Sequence, residues 1–225
     1  MQTAILLFGS AGITIAEALR TRNKEVPLLL IETHKSLYQA ERGANAIEAK
    51  LLDEQTKKML EDVQQKQDAS MITAQYYEHI PDHLVGKTGE LLFLTTAEMQ
   101  FSNGDLEATR ARAELYEDEI AQMIAPFKQV ILVACLGGTT NTAIAPFVAQ
   151  LAKRLGKTVV TIATLPAQFE GKTRKNPAQK GLEQLLKRSY VTLVEMDAEA
   201  ESMHEYFKIK DEKIVEAIEQ ALQKN

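Results

Sequence analysis

The stretch ILVACLGGTTNTAIAPFVAQLAKRLG, residues 131–156, decides the fold of this chain. Its opening apolar run is typical of a strand that is buried on both faces of a parallel sheet. Glycines and threonines follow, and an apolar pattern with helical spacing then extends over 142–155 and ends at Gly156, a common helix stop. The stretch therefore predicts a strand over 130–135, a tight loop and a helix directly after the loop.

The loop between this strand and this helix has the composition of a phosphate-binding turn. Glycine lets the backbone adopt positive φ and approach a ligand closely, and the first turn of a helix presents N–H groups at the positive end of the helix dipole. Taken alone, the loop is also typical of a plain strand-to-helix turn with a threonine cap, so both interpretations stay open. The candidate binding residues are Gly137, Gly138, Thr139, Thr140, Asn141 and Thr142.

Strand-like and helix-like segments alternate along the rest of the chain. The predicted strands cover 3–8, 27–31, 89–96, 130–135, 158–164 and 190–194. The predicted helices cover a segment after Gly9, then 106–125, 142–155, 177–187, 199–206 and 211–223, the last capped by Asp211. An amphipathic pattern over 37–66 predicts an inserted helical segment that packs on the core or binds a partner. We therefore expect one α/β domain over 1–225, with a doubly wound, mostly parallel sheet and helices on both faces.

Composition narrows the function classes. The 225 residues are 45% apolar and 25% charged, as in ordinary globular proteins, and the net charge of -5 gives no general attraction to nucleic acid. One cysteine excludes an internal disulfide framework and a multi-cysteine zinc site. No apolar run reaches the roughly 20 residues of a membrane span, and the N-terminus lacks the basic start of a signal peptide. We expect a cytoplasmic protein.

The turn between the first strand and the first helix also carries glycine. It matches the dinucleotide fingerprint G-x-G-x-x-G poorly, because Ala11 and Thr14 stand where that pattern has glycine. Glu32, at the end of the second strand, keeps an NAD(P)-binding oxidoreductase open as an alternative, since such folds place a ribose-binding acid there. The candidate residues of this turn are Gly9, Ser10, Ala11 and Gly12.

Other candidate sites are excluded by spacing. The tripeptide 86–88 (GKT) lacks the earlier glycine of a P-loop. Pro81 stands between His79 and His83 and so breaks the helix on which they could share a metal ion. Cys135 is expected in the core or at the wall of a pocket. The sequence predicts no catalytic nucleophile and no metal ligands.

Four motifs, in order and in spacing, resemble the nucleotide-binding domain of the FtsZ/tubulin superfamily. Residues 137–146 resemble the family loop G-G-G-T-G-[TS]-G followed by A-A-P. Residues 164–174 resemble the FtsZ segment T-x-P-x-x-F-E-G-x-x-R, and 9–15 resemble the tubulin loop G-Q-[CA]-G-x-Q-I. The fourth motif is an aromatic residue followed four positions later by an acid, Phe207 and Asp211. Three signature glycines are replaced, by Thr139, Asn141 and Ala143.

The resemblance implies a site for GTP or GDP, with Mg²⁺ as a candidate companion ion. It places Glu170 and Arg174 near the ribose and phosphates, stacks Phe207 on guanine, and pairs Asp211 with the N1–H and N2–H₂ groups of the base. A carboxylate is a suitable acceptor for that pair of donors. The implied partners are guanine nucleotide and a second copy of the chain, as a dimer or a non-standard polymer, or another FtsZ-like protein. The implied process is cell division or cytoskeletal assembly.

The resemblance also bears on hydrolysis. In the family an acidic catalytic loop follows the helix at which this sequence ends, Asn225, and hydrolysis needs a positioned and activated water. We therefore expect weak or no intrinsic GTP hydrolysis. Two alternatives remain at this point: a non-catalytic interaction module with a degenerate pocket, and the oxidoreductase named above.

Overall fold

A computed structural model describes residues 3–22, 26–32, 89–93, 105–195 and 202–223. The strands are β1 Thr3–Phe8, β2 Leu28–Glu32, β3 Gly89–Phe93, β4 Gln129–Cys135, β5 Thr158–Thr164 and β6 Tyr190–Leu193. The helices are α1 Gly9–Thr21, α2 Leu106–Leu115, α3 Glu117–Ile124, α4 Thr139–Arg154, α5 Lys172–Leu186 and α6 Met203–Gln223, with a 3-10 turn at Gln168–Glu170.

The strands form one six-stranded sheet in the order β3-β2-β1-β4-β5-β6. Every neighbouring pair is parallel. Strands β2 and β3 follow one another on one side of β1, and strands β4, β5 and β6 follow one another on its other side. This is a doubly wound sheet whose switch point lies between β1 and β4, and it confirms the predicted fold class.

Helices cover both faces of the sheet, which explains the continuous apolar strands. Successive side chains of a strand point to opposite faces. Ala4, Leu6 and Phe8 of β1 pack with α2, α3, α4 and α5, whereas Ile5 and Leu7 pack with α1 and α6. All five side chains are fully buried, so β1 has no face on which a polar residue could alternate.

Two helices begin earlier than the sequence predicts. α4 begins at Thr139 rather than at 142, because Gly138 (φ -82°, ψ 146°) is the last extended residue and the threonines form the first turn. α5 begins at Lys172 rather than at 177, so Pro177 lies inside the helix. Proline has a helical φ and removes only one hydrogen bond near the start of a helix.

Two other predictions about helices are wrong. The single helix predicted over 106–125 is two helices, because Tyr116 (φ -107°, ψ 25°) leaves the helical region between α2 and α3. The two helices predicted near the C-terminus are one, since α6 runs without a break from Met203 to Gln223. No glycine or proline lies between these bounds to stop it.

The inserted segment predicted over 37–66 lies outside the described residues, as do 79–88 with the excluded histidines and the GKT tripeptide. The assignment of 1–225 to one domain stays a prediction, as does the cytoplasmic location. Within the ranges that the structure describes, none of the helices combines the length and the apolar character needed to cross a membrane.

Candidate functional site

Two strand-to-helix junctions meet at the switch point of the sheet. α1 begins directly after β1, and α4 begins after a loop of three residues that follows β4. Neither helix has an acidic residue in its first turn, and neither has a side-chain cap. The positive ends of both dipoles therefore face the carboxyl edge of the sheet, where N–H groups of a first turn can bind an anion. α5 also lacks acid in its first turn and begins at Lys172.

Asn141 joins β1 and β4 where their pairing stops. The pairing ends at Leu7 and Val133. Beyond it, Oδ1 of Asn141 accepts a hydrogen bond from the Cys135 N–H (3.0 Å), and Nδ2 donates one to the Phe8 carbonyl (3.0 Å). The residue is only 5% exposed. Asn141 thus fixes the two junctions relative to each other, and its contact with a nucleotide stays a prediction.

The loop after β4 packs on the segment after β5. Gly137 has a φ of +102°, and a Cβ there would lie 2.5 Å from Cγ of Pro166, so only glycine fits. The Gly137 N–H donates to Oγ1 of Thr142 (2.8 Å), and the Leu136 N–H donates to the Thr164 carbonyl (3.0 Å). These contacts hold the loop in one shape beside the end of β5.

The residues that replace the signature glycines lie within α4. Thr139, Asn141 and Ala143 are all helical, and a helix has negative φ throughout. Their Cβ atoms therefore cause none of the strain that an L-residue suffers in the left-handed region. Thr140 and Thr142 are buried beside them at 6% exposure each.

The turn predicted over 9–12 is the first turn of α1 rather than a loop. Gly9 begins it with a φ of +63°. A Cβ on Gly12 would lie 2.9 Å from both Cβ of Leu7 and Cδ1 of Leu30, so Gly12 lets α1 approach the sheet closely. The side chain of Ser10 is outside the described atoms. A role of this turn in nucleotide binding stays a prediction.

Glu170 and Arg174, which the family resemblance places near ribose and phosphates, form an ion pair with each other (Oε2 to Nη1, 2.6 Å). Oε1 of Glu170 also accepts a hydrogen bond from the Ala167 N–H (2.8 Å). The side chain of Glu170 is 14% exposed and that of Arg174 is 54% exposed. The acid is therefore fixed beside the 3-10 turn, while the guanidinium group extends into solvent.

Asp211 lies inside α6 and does not cap it, which corrects the sequence prediction. It instead lies near the Thr14 hydroxyl of α1, which lowers the pKa of the Asp211 carboxyl. Burial raises the pKa of the Asp211 carboxyl above its ordinary value, against the lowering effects of the Thr14 hydroxyl and the Lys210 charge. The Thr14 hydroxyl donates to the Ala11 carbonyl (3.1 Å).

Aromatic rings lie one turn before Asp211 along α6. The Phe207 ring meets Tyr206 edge-on at 5.5 Å, and Tyr206 meets Phe169 edge-on at 5.2 Å. Burial raises the pKa of Tyr206, and the charge of Glu170 raises it further. The three rings thus connect the segment after β5 to α6 and orient Phe207.

Cys135, the last residue of β4, is buried among these groups. Burial raises the pKa of its thiol; the Lys210 charge and a Thr164 hydrogen bond lower it, and the charges of Asp211 and Glu170 raise it. These groups belong to β4, β5, the turn after β5 and α6. The structure therefore brings residues from separate sequence motifs to one edge of the sheet.

Two residues of this cluster were not predicted from the sequence. Thr14 was named only as a departure from the dinucleotide fingerprint, and Lys210 was not named. A continuous helix would have indicated Lys210, because a residue three positions after Phe207 then lies on the same face, but the predicted break over 207–210 concealed it. In the described part of the chain, no group of three His, Cys, Asp or Glu side chains could hold a metal ion.

An open parallel sheet with strand-to-helix junctions at its switch point defines the class of doubly wound α/β proteins whose ligands bind beyond the carboxyl ends of the strands. Within that class, the model of the Tubulin/FtsZ family, GTPase domain, matches residues 2–199. The chain therefore belongs to the Tubulin/FtsZ family, which confirms the resemblance seen in the sequence.

Individual relatives agree with this assignment. Cell division protein FtsZ of Haemophilus influenzae is 42% identical over 76 residues, which cover 34% of this chain and 18% of that protein. FtsZ 1 of Thermococcus kodakarensis is 36% identical over 108 residues, which cover 45% of this chain and 29% of that protein. The matched parts therefore span less than a third of either relative.

Solved structures show the same fold. The empty FtsZ dimer of M. jannaschii superposes with a TM-score of 0.66 at 19% identity, over 96% of this chain and 53% of that one. CetZ from Methanosaeta thermophila superposes with a TM-score of 0.64 at 14% identity, over 99% of this chain and 54% of that one. The chain thus spans about half the length of these neighbours.

Proposed function

We propose that this chain binds GTP or GDP at the switch point and acts in cell division or cytoskeletal assembly. Its membership of the Tubulin/FtsZ family, GTPase domain, supports the ligand, and relatives named cell division protein FtsZ support the process. One observation carries the proposal. The last helix, α6, packs against α1 and β4, which brings Asp211, the predicted base-binding acid, near Thr14 and close enough to Cys135 for its charge to raise the pKa of the thiol.

The site offers each part of a guanine nucleotide a matching group. Two uncapped helix N-termini suit phosphates. The Phe207 ring, braced by Tyr206, suits the face of a base. The Asp211 carboxylate suits the N1–H and N2–H₂ donors of guanine, and burial makes such a hydrogen bond stronger than it would be in water.

We propose weak or no intrinsic hydrolysis by these residues. Activation of a water needs a carboxylate or another base that is free to accept its proton. Glu170 is engaged by Arg174 and by the Ala167 N–H, and Asp211 is engaged by Thr14 and assigned to the base. Phosphate release by the purified chain measures this directly, and turnover of GTP at rates typical of the family would contradict the proposal.

A second copy of this chain, or another FtsZ-like protein, is the proposed partner. Similar structures include an FtsZ dimer and a protofilament of TubZ from bacteriophage PhiKZ. Light scattering of the purified chain with and without GTP tests this part. Scattering that rises only with nucleotide supports assembly, and a monomer under both conditions excludes self-assembly.

Binding of a fluorescent GDP analogue tests the ligand. The wild-type chain should bind it, and Asp211→Ala should weaken binding at least about 100-fold, because two charge-assisted hydrogen bonds are lost. Asp118→Ala is the matched control, since Asp118 lies exposed on α3, and it should bind like wild type. Stabilisation against heat by NADH but not by GDP would overturn the proposal.

A further inference from the structure

Lys210 lies beside the two residues that are proposed to bind the base, Phe207 and Asp211. Its ammonium lies 4.7 Å from the centre of the Phe207 ring. It is adjacent in sequence to Asp211, and its charge reaches both Asp211 and Cys135. Lys210 and Phe207 are each partly buried. The ammonium is therefore at the sheet edge rather than in bulk solvent.

The hydrogen-bond donors of this ammonium are available to a ligand. An ammonium has three N–H donors, and among the described residues no hydrogen bond or ion pair engages those of Lys210. Its contact there is with the face of an aromatic ring. A cation–π contact at a partly exposed ring is weaker than a charge-assisted hydrogen bond, so the ammonium should leave the ring for a suitable acceptor. Only rotation of the long side chain is needed.

The chemistry of the purine edge identifies that acceptor. Guanine presents a carbonyl oxygen at position 6 beside its N1–H and N2–H₂ donors, whereas adenine presents an amino group at position 6. A carboxylate and an adjacent ammonium complement the guanine edge. Against adenine, the ammonium would face an amino group and the carboxylate would face a ring-nitrogen lone pair. Such mismatched polar groups reject a ligand strongly.

We propose that Lys210 is a specificity-determining residue that donates a hydrogen bond to the 6-oxo oxygen of the bound purine. Together with Asp211 it reads the guanine edge while Phe207 contacts the ring. This inference rests on the proposed function, because it assumes that the base lies at Asp211. It assigns Lys210 to the base and not to the phosphates.

The assignment is tested with Lys210→Met, which keeps the apolar stem of the side chain and removes the charge. Unlabelled nucleotides compete with a fluorescent GDP analogue, and the affinity for each is compared with that of the wild-type chain. The affinities for GMP, GDP, GTP and IDP should all fall by the same factor of about ten, because each of these nucleotides has a 6-oxo group. The ratio of the affinity for GDP to the affinity for ADP should fall by the same factor. Lys210→Arg, which keeps the charge and the donors, should retain most of the affinity.

Lys208→Met is the matched control, because Lys208 is exposed on the same helix, and it should change no affinity by more than about twofold. Thermal unfolding of each variant shows that it is folded. If Lys210→Met reduced the affinity for GTP more than the affinity for GMP, Lys210 would contact the phosphates and the inference would be overturned. The inference would also be overturned if Lys210→Met reduced the affinities for ADP and GDP equally, or left the affinity for GDP unchanged. Failure of the wild-type chain to bind GDP would instead defeat the proposed function.

Discussion

Asn141→Ala tests whether the side-chain amide joins β1 and β4. The substitution removes the acceptor of the Cys135 N–H and the donor to the Phe8 carbonyl, each at 3.0 Å. Both backbone groups would be left without a partner in a buried site. An unsatisfied buried group costs about 1–3 kcal/mol, so two of them should lower the free energy of unfolding by about 2–6 kcal/mol. That is a large part of the roughly 5–15 kcal/mol that stabilises a typical domain.

Urea unfolding followed by circular dichroism measures this difference. The midpoint should fall while the dependence on urea concentration stays the same. Asn176→Ala is the matched control, because Asn176 is exposed on α5, and it should change stability by less than about 0.5 kcal/mol. If Asn141→Ala were as mild as its control, the amide would not join the strands, and the positions of the two junctions would need another cause.

Two further predictions concern the same edge of the sheet. Gly137→Ala should lower the free energy of unfolding by at least about 2 kcal/mol, because a φ of +102° and a Cβ 2.5 Å from Pro166 combine strain with overlap. Gly138→Ala, whose Cβ meets nothing closer than 3.9 Å, should cost at most about 1 kcal/mol in the same urea assay, and equal losses would refute the difference. For Asp211, burial raises the pKa in the folded state, so the folded chain holds a proton that the unfolded chain has released. Wild-type stability should therefore fall relative to Asp211→Asn as pH rises from the ordinary carboxyl pKa through the raised one. A difference between the two proteins that does not change with pH would contradict this.

The sheet was predictable because most residues of each strand are apolar or β-branched and because glycine or proline lies near several of the strand ends. β5 has the predicted bounds of 158–164, and Gly156 and Pro166 flank it. The predicted break before Asp211 was wrong, because Asp is a good helix cap in general but here lies inside α6, where no glycine or proline stops the helix. The break at Tyr116 had no signal in the sequence, since a tyrosine in that position is compatible with a continuous helix.

The candidate site was predictable as a set of motifs but not as a set of contacts. The two junctions and the acid of α6 do come to one edge, as the order of the motifs indicated. The pairing of Glu170 with Arg174 and the bonds of Asn141 to two strands depend on tertiary geometry. Lys210 was missed because surface lysines are common and its neighbours across the sheet edge are distant in sequence.

The replacement of signature glycines by residues of α4 has a consequence for the thermodynamics of ligand capture. A glycine-rich loop keeps backbone conformational freedom in the unbound protein, and this freedom is lost when a ligand binds. Here Thr139 and Asn141 are already helical, so that entropy is lost during folding and not during association. Calorimetry of anion binding to the first turn of α4 should therefore show a smaller unfavourable entropy of binding than a flexible glycine-rich loop would give. The protein would act here as a preorganised receptor.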